Sequence, residues 1–222
     1  MEFQHIIFDC DGVLVDSEPL SMKVDQELLA ENGIVMSEEE VTRRFVGFTF
    51  GALIAKVELD FGVRLPEGIS EEKDRRLLAL YERELVATAG ALDIARSLGL
   101  PKSVASNSPR ERVEAAFRIT GLGAFFNGNI TTFEDVRNGK PAPDVYLLAA
   151  KRAGVSPSQC LVIEDSQAGV ISAVAAGCPV IGFAGLAHDR DAAALMLRQS
   201  GAINVLFSLY DLADAMSDAG CR

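Results

Sequence analysis

The sequence predicts a doubly wound α/β fold, and two observations carry that prediction. Short apolar, β-branched runs recur along the chain, and amphipathic helical patterns fill the spaces between the later ones. Strands alternating with helices make βαβ units, and their parallel sheet has to be covered on both faces.

The elements follow in order. "HIIFD" at 5 to 9 is the first strand. From about 17 to 87 the alternation breaks into helical patterns. Leu20, Val24, Leu28 and Leu29 sit at helical spacing behind Ser17 and Pro19, a cap and a first-turn proline. "SEEEV" at 37 to 41 carries a Ser-x-x-Glu capping box, and "SEEKDRRLLALYERELV" from Ser70 has acids early and bases late, as a helix dipole favours. Strands then return at "SVASN" 103 to 107, "NITTF" 129 to 133, "CLVIED" 160 to 165, "PVIGF" 179 to 183 and "INVLF" 203 to 207. The helical faces between them are Val113, Ala116 and Phe117; Val145, Leu148 and Ala149; Val170, Val174 and Ala175; and Ala193 with Leu197. The sum is an α/β chain: a Rossmann-like, doubly wound parallel sheet core at 1–16 and 88–222, with an all-helical domain at 17–87 inserted after the first strand.

Bulk properties narrow the function. At 222 residues the chain exceeds a minimal domain and suits one domain carrying a sizeable insertion. Its net charge of -11 argues against a non-specific hold on nucleic acid or an anionic membrane, so an anionic substrate needs a local cation. No apolar run reaches membrane-span length and no basic segment leads into a signal-peptide core, so a cytoplasmic location is expected, with monomer as the default state. Cys10, Cys160, Cys178 and Cys221 form no CxxC pair, against zinc or a disulfide scaffold. With only His5 and His188, chemistry built on several imidazoles is nearly excluded, and His5 is expected to be structural.

The chemistry concentrates at the strand ends. Asp9 and Asp11 follow the first strand, Ser106 and Asn107 end the second, Glu164 and Asp165 end the fourth, and Lys140 stands in "NGKPAPD" before a helix. Singly, each has an ordinary reading as a turn residue, helix cap or exposed charge. Together they meet, because a parallel sheet brings these ends to one rim and ligands bind beyond the carboxyl ends of its strands. Carboxylates converging there raise one another's pKa unless a cation intervenes. An all-oxygen ligand set points to a hard divalent ion, and few protein ligands plus a phosphate favour magnesium over calcium. A carboxylate can attack phosphorus, and a second carboxyl two residues away can protonate the leaving oxygen and later activate water.

The four separated motifs resemble those of the haloacid dehalogenase-like hydrolase superfamily, in the branch of β-phosphoglucomutase and small sugar-phosphate phosphatases. "DCDGVLVD" is similar to the first motif, Ser106 to the second, Lys140 in "GKPAPD" to the third and "EDSQAG" to the fourth. The resemblance implies Asp9 as nucleophile and Asp11 as general acid/base. It implies Mg2+ held by the Asp9 side chain, the Asp11 carbonyl and Asp165, with Glu164 in or just behind that set. Ser106 and Lys140 would hold phosphoryl oxygens, with Asn107 beside them. The insertion would be the helical cap that closes over the site and selects substrate, and in "RRFVG" Arg44 and Gly47 would face that substrate.

The activity implied is a magnesium-dependent phosphatase of a small phosphorylated metabolite, a sugar phosphate or sugar-acid phosphate. The alternative is a phosphohexomutase, weakened because Ser21 stands where the mutases carry a histidine. Lower still are a phosphonate hydrolase using Lys23 and a non-catalytic receiver-like module, which would need neither a cap nor Asp11. A dinucleotide-binding domain lacks support, since no G-x-G-x-x-G follows the first strand and "GLGAFF" at 121 to 126 follows a helix.

Overall fold

The computed structural model describes residues 3–37, 40, 41, 44, 50–126 and 128–218. The chain divides into two compact units, Met1–Asp16 with Val86–Arg222, and Ser17–Leu85. The larger unit holds six strands: β1 His5–Phe8, β2 Lys102–Ser106, β3 Ile130–Thr132, β4 Cys160–Glu164, β5 Val180–Phe183 and β6 Asn204–Leu206. They form one parallel sheet in the order β3-β2-β1-β4-β5-β6. The order reverses direction at β1, so β1 and β4 straddle the switch point where such sheets bind ligands.

Burial on both faces explains the unbroken apolar strands. On one face Ile7, Ala105, Val162 and Val180 pack with Val145, Tyr146, Val170 and Ala173 from the helices Asp144–Ala153 and Gln167–Ala175. On the other, Phe8 meets the edge of Phe126, which packs against Phe117 of the helix Arg110–Thr120. His5 is buried and shares a 2.8 Å hydrogen bond with Ser103, a structural part as expected. Cys10, Cys160 and Cys178 are free and buried.

The expected elements appear with shifted edges, for local reasons. β3 stops at Thr132 because Phe133–Asp135 turns into a 3₁₀ helix, whose Asp135 side chain accepts from the Thr132 N–H. In Gln167–Ala175 the buried face is Val170, Ser172 and Ala173, while Val174, expected inside, is exposed. Ser172 donates to the Ala142 carbonyl at 2.6 Å, which turns that face inward. The helix expected from Ser70 begins at Ile69, behind Gly68 in the left-handed region at φ 84°.

In the smaller unit the helices Glu18–Glu31 and Ile69–Glu84 pack through Leu20, Val24 and Leu28 on one and Leu77, Leu80 and Tyr81 on the other. Between them Asp25 and Lys73 make a buried ion pair at 2.6 Å, and Arg76 grips Glu31 at 2.6 and 2.8 Å. The capping box is present: the Ser37 N–H donates to Glu40 and the Glu40 N–H to Ser37 Oγ. Arg44 is exposed and lies 5.9 Å over the Phe61 ring, and Gly47 lies outside the described residues, as does Cys221. No helix among the described residues is long and apolar enough to cross a membrane.

Candidate active site

The backbone past β1 brings the first two acids into place. The Asp9 N–H donates to the Ile163 carbonyl, carrying the β1–β4 register one step beyond Phe8 and setting Asp9 beside the end of β4. Gly12 then turns the chain at φ 78°, and its N–H donates to the Val15 carbonyl. A Cβ on Gly12 would overlap the Asp165 carboxylate, so a glycine there is what lets the two motifs approach. Gly169 does the same for Glu164, whose carboxylate fills the space a Cβ would take.

Lys140 joins the strand ends. Its buried ammonium donates to Asp9 Oδ1 at 2.5 Å, to the Ala105 carbonyl at 2.8 Å and to Glu164 Oε2 at 2.8 Å, an acceptor for each of its three hydrogens. Burial works against that charge, but the Asp9 and Glu164 carboxylates outweigh it and hold the Lys140 pKa well above the ordinary lysine value. Asn107 fixes the lysine's backbone: its Nδ2 donates to the Lys140 carbonyl at 3.0 Å and its Oδ1 accepts the Lys140 N–H at 2.8 Å. Expected among the substrate contacts, Asn107 thus uses its amide to hold the Lys140 loop. Ser106 is buried, with its Oγ accepting the Ser108 N–H at 2.9 Å.

The two inner carboxylates differ in how well they are solvated by protein. Among the described residues five donors reach Glu164: Asp165 N–H, Ser166 N–H and Ser166 Oγ on Oε1, and Lys140 and Tyr146 Oη on Oε2. Burial pushes the Glu164 pKa up, but the Lys140 charge and these hydrogen bonds outweigh it, and the net shift is downward. Among the described residues no such cage surrounds Asp9, whose carboxylate accepts from Lys140. Burial first, then the Glu164 charge, push its pKa up to about 8 despite Lys140.

This donor set fits a divalent cation. Oxygens of Asp9, Glu164 and Asp165 lie within 4.8 Å of one another, and Asp11 adds a further carboxyl two residues from Asp9. One lysine does not balance that charge, and a hard ion with oxygen ligands would, while also returning Asp9 to its ionised form. Five donors already saturate the lone pairs of Glu164, so Asp9 and Asp165 are the carboxylates suited to direct ligation, with Glu164 holding Lys140 behind them.

A haloacid dehalogenase-like hydrolase family model matches residues 3–177. The chain belongs to the haloacid dehalogenase-like hydrolases. Within the family it falls in the branch of sugar-phosphate phosphatases and β-phosphoglucomutase-like proteins. It is 32% identical over 83% of its length to 84% of a 6-phosphogluconate phosphatase of Escherichia coli. It is 30% identical over 79% of its length to 94% of a fructose-1-phosphate phosphatase of the same organism. A solved haloacid dehalogenase-like protein from Agrobacterium tumefaciens superposes with a TM-score of 0.87 at 35% identity, covering 98% of this chain and 99% of that one.

Three site residues of this haloacid dehalogenase-like hydrolase escape sequence reading. Tyr146 looks like a core residue of an amphipathic helix, yet its hydroxyl donates to Glu164 at 2.5 Å; the one hint is a polar tip on the buried face six residues after Lys140. Ser108 donates to Asp11 Oδ2 at 2.5 Å and accepts from Arg112, four residues later in the first turn of the helix Arg110–Thr120. Lys23 is exposed and 3.4 Å from Glu84, unlike the desolvated amine a Schiff-base lysine requires.

Proposed function

We propose that this hydrolase is a magnesium-dependent phosphomonoester phosphatase acting on a small phosphorylated sugar or sugar acid through an aspartyl-phosphate on Asp9. The observation that carries the reading is the pairing of buried Asp9 with Lys140, two residues from Asp11 held by Ser108. Names of the relatives, which act on 6-phosphogluconate and fructose 1-phosphate, support the substrate class.

Asp9 and Asp165, with the Asp11 carbonyl, would hold the magnesium ion. Bound there, the ion supplies positive charge to the phosphoryl oxygens and to the carboxylates around them. Asp9 attacks phosphorus; as its oxygen bonds, the ester P–O bond breaks and its electron pair goes to the leaving alcohol oxygen. Asp11 gives that oxygen a proton and is left as a carboxylate. It then takes a proton from water as the water oxygen bonds to phosphorus, and the acyl phosphate's P–O bond breaks with its electrons returning to Asp9. Lys140 and Ser106 offset charge on the transferring group, and Lys140 keeps Asp9 oriented. Arg44 and Gly47 of the helical insertion are the residues proposed to rank substrates.

Phosphate release from a panel of sugar phosphates and sugar-acid phosphates, in magnesium and in chelator, tests this. Release is expected only with the ion, and Asp9→Asn should drop it to background with the fold unchanged. Asp11→Asn should lower turnover of alkyl phosphates by about 10²–10⁴-fold. Near-normal release by Asp9→Asn would refute the reading, and isomerised hexose phosphate without release would replace it by a mutase.

A further inference from the structure

The general acid/base has support of its own. Ser108 is buried, its Oγ donates to Asp11 Oδ2 at 2.5 Å, and an Arg112 Nη2–H donates to the same Oγ. A guanidinium has donors and no acceptor, so Ser108 must receive from Arg112, and its own hydrogen is thereby directed at Asp11. The Ser108 N–H in turn donates to Ser106 Oγ, tying this pair to the residue proposed to hold the phosphoryl group. Ser108 stands two residues before the helix Arg110–Thr120 and Arg112 in its first turn, so the contact closes the entry to that helix.

We propose that Ser108 and Arg112 form a positioning pair that holds the Asp11 carboxyl through Oδ2 in the orientation from which it delivers a proton to the leaving alcohol. This deepens the phosphatase reading and rests on it. A carboxyl can bear its proton on either oxygen and can rotate. A charge-polarised hydroxyl held on Oδ2 stops that rotation. When the proton leaves Asp11 for the alcohol oxygen, the resulting carboxylate keeps the Ser108 hydrogen bond and is already placed to take a proton from water in the second step.

The pair therefore matters in proportion to how badly the leaving group needs a proton. A sugar alkoxide is a poor leaving group and depends on it, whereas 4-nitrophenolate departs without one. The test compares kcat/KM, which covers events up to alcohol departure, for a sugar phosphate and for 4-nitrophenyl phosphate. In Ser108→Ala and Arg112→Ala the sugar-to-nitrophenyl ratio should fall by about 10- to 100-fold, the scale of a misplaced catalytic group. Ser108→Thr, which keeps the hydroxyl, should restore most of the ratio. Partial misfolding lowers both substrates equally and cannot change the ratio, so equal losses would overturn the proposal, as would full retention on the sugar phosphate. Asp11→Asn is the reference: if it leaves the ratio intact, the acid/base reading itself falls, whereas a fall there with none in Ser108→Ala condemns the positioning pair alone.

Discussion

At the scale of residues the site is governed by one buried cation serving two buried acids. Lys140 touches both Asp9 and Glu164, and its removal would leave the buried Glu164 carboxylate without its counter-charge. Lys140→Met should therefore cost about 3–5 kcal/mol of stability in chelator, measured by urea unfolding, and added magnesium should recover part of the loss. Tyr146→Phe removes one of five donors to Glu164 and keeps the ring in the core. A loss of about 1–3 kcal/mol is expected, and an unchanged midpoint would show that the hydroxyl is dispensable. The motif residues were legible in sequence because acids, a serine and a lysine closing apolar runs stand out and the parallel sheet brings those ends together. Tyr146, Ser108 and Arg112 were not, because their parts depend on which helix face meets which strand end. The engagement of Asn107 with the Lys140 main chain is likewise a tertiary fact between residues 33 positions apart.

Among the elements, Asp135 fastens three pieces of the core unit. It accepts from Thr132 N–H at the end of β3, from Arg110 at 2.7 Å and from Arg152 at 3.1 Å, on the helices Arg110–Thr120 and Asp144–Ala153. The Arg152 hydrogen bond, with Thr132 and Arg110 behind it and partial burial opposing, pulls the Asp135 pKa from 3.8 down to about 2. A folded pKa below the unfolded one means this contribution is fully present above the unfolded value. It is lost as the pH falls through the folded one. Stability should thus decline between roughly pH 4 and 2 in part through Asp135, and Asp135→Asn should be less stable near neutrality with a flatter acid limb in denaturation curves taken across that range. Strand and helix existence was readable from periodicity and turn chemistry. The edges moved by a residue or two where a side chain ended or rotated an element: Thr132 with Asp135 through a local capping box at the end of β3, and Ser172 with Ala142 through a bond between residues 30 positions apart that no local pattern links.

For the whole molecule, Asp9, Glu164 and Asp165 meet at the β1–β4 switch point, where they outnumber the lysine among them. If an ion binds the folded arrangement of Asp9 and Asp165 and not the unfolded chain, magnesium at a hundred times its Kd should stabilise by about 2.7 kcal/mol. For a chain of this size that corresponds to a rise in Tm of about 5–10 °C. Asp165→Asn should abolish the rise, and an equal rise in the variant would place the ion elsewhere. The most direct measurement is rapid acid quench of the magnesium-loaded protein during turnover of 4-nitrophenyl phosphate, whose leaving group needs no proton, followed by peptide mass spectrometry, in the natural chain and in Asp11→Asn, which with this ester slows hydrolysis of the intermediate and spares its formation. A phosphoryl group appearing transiently on Asp9 and accumulating further in the variant is the predicted result. Phosphate release with Asp9 unmodified at every time point in both proteins would contradict it.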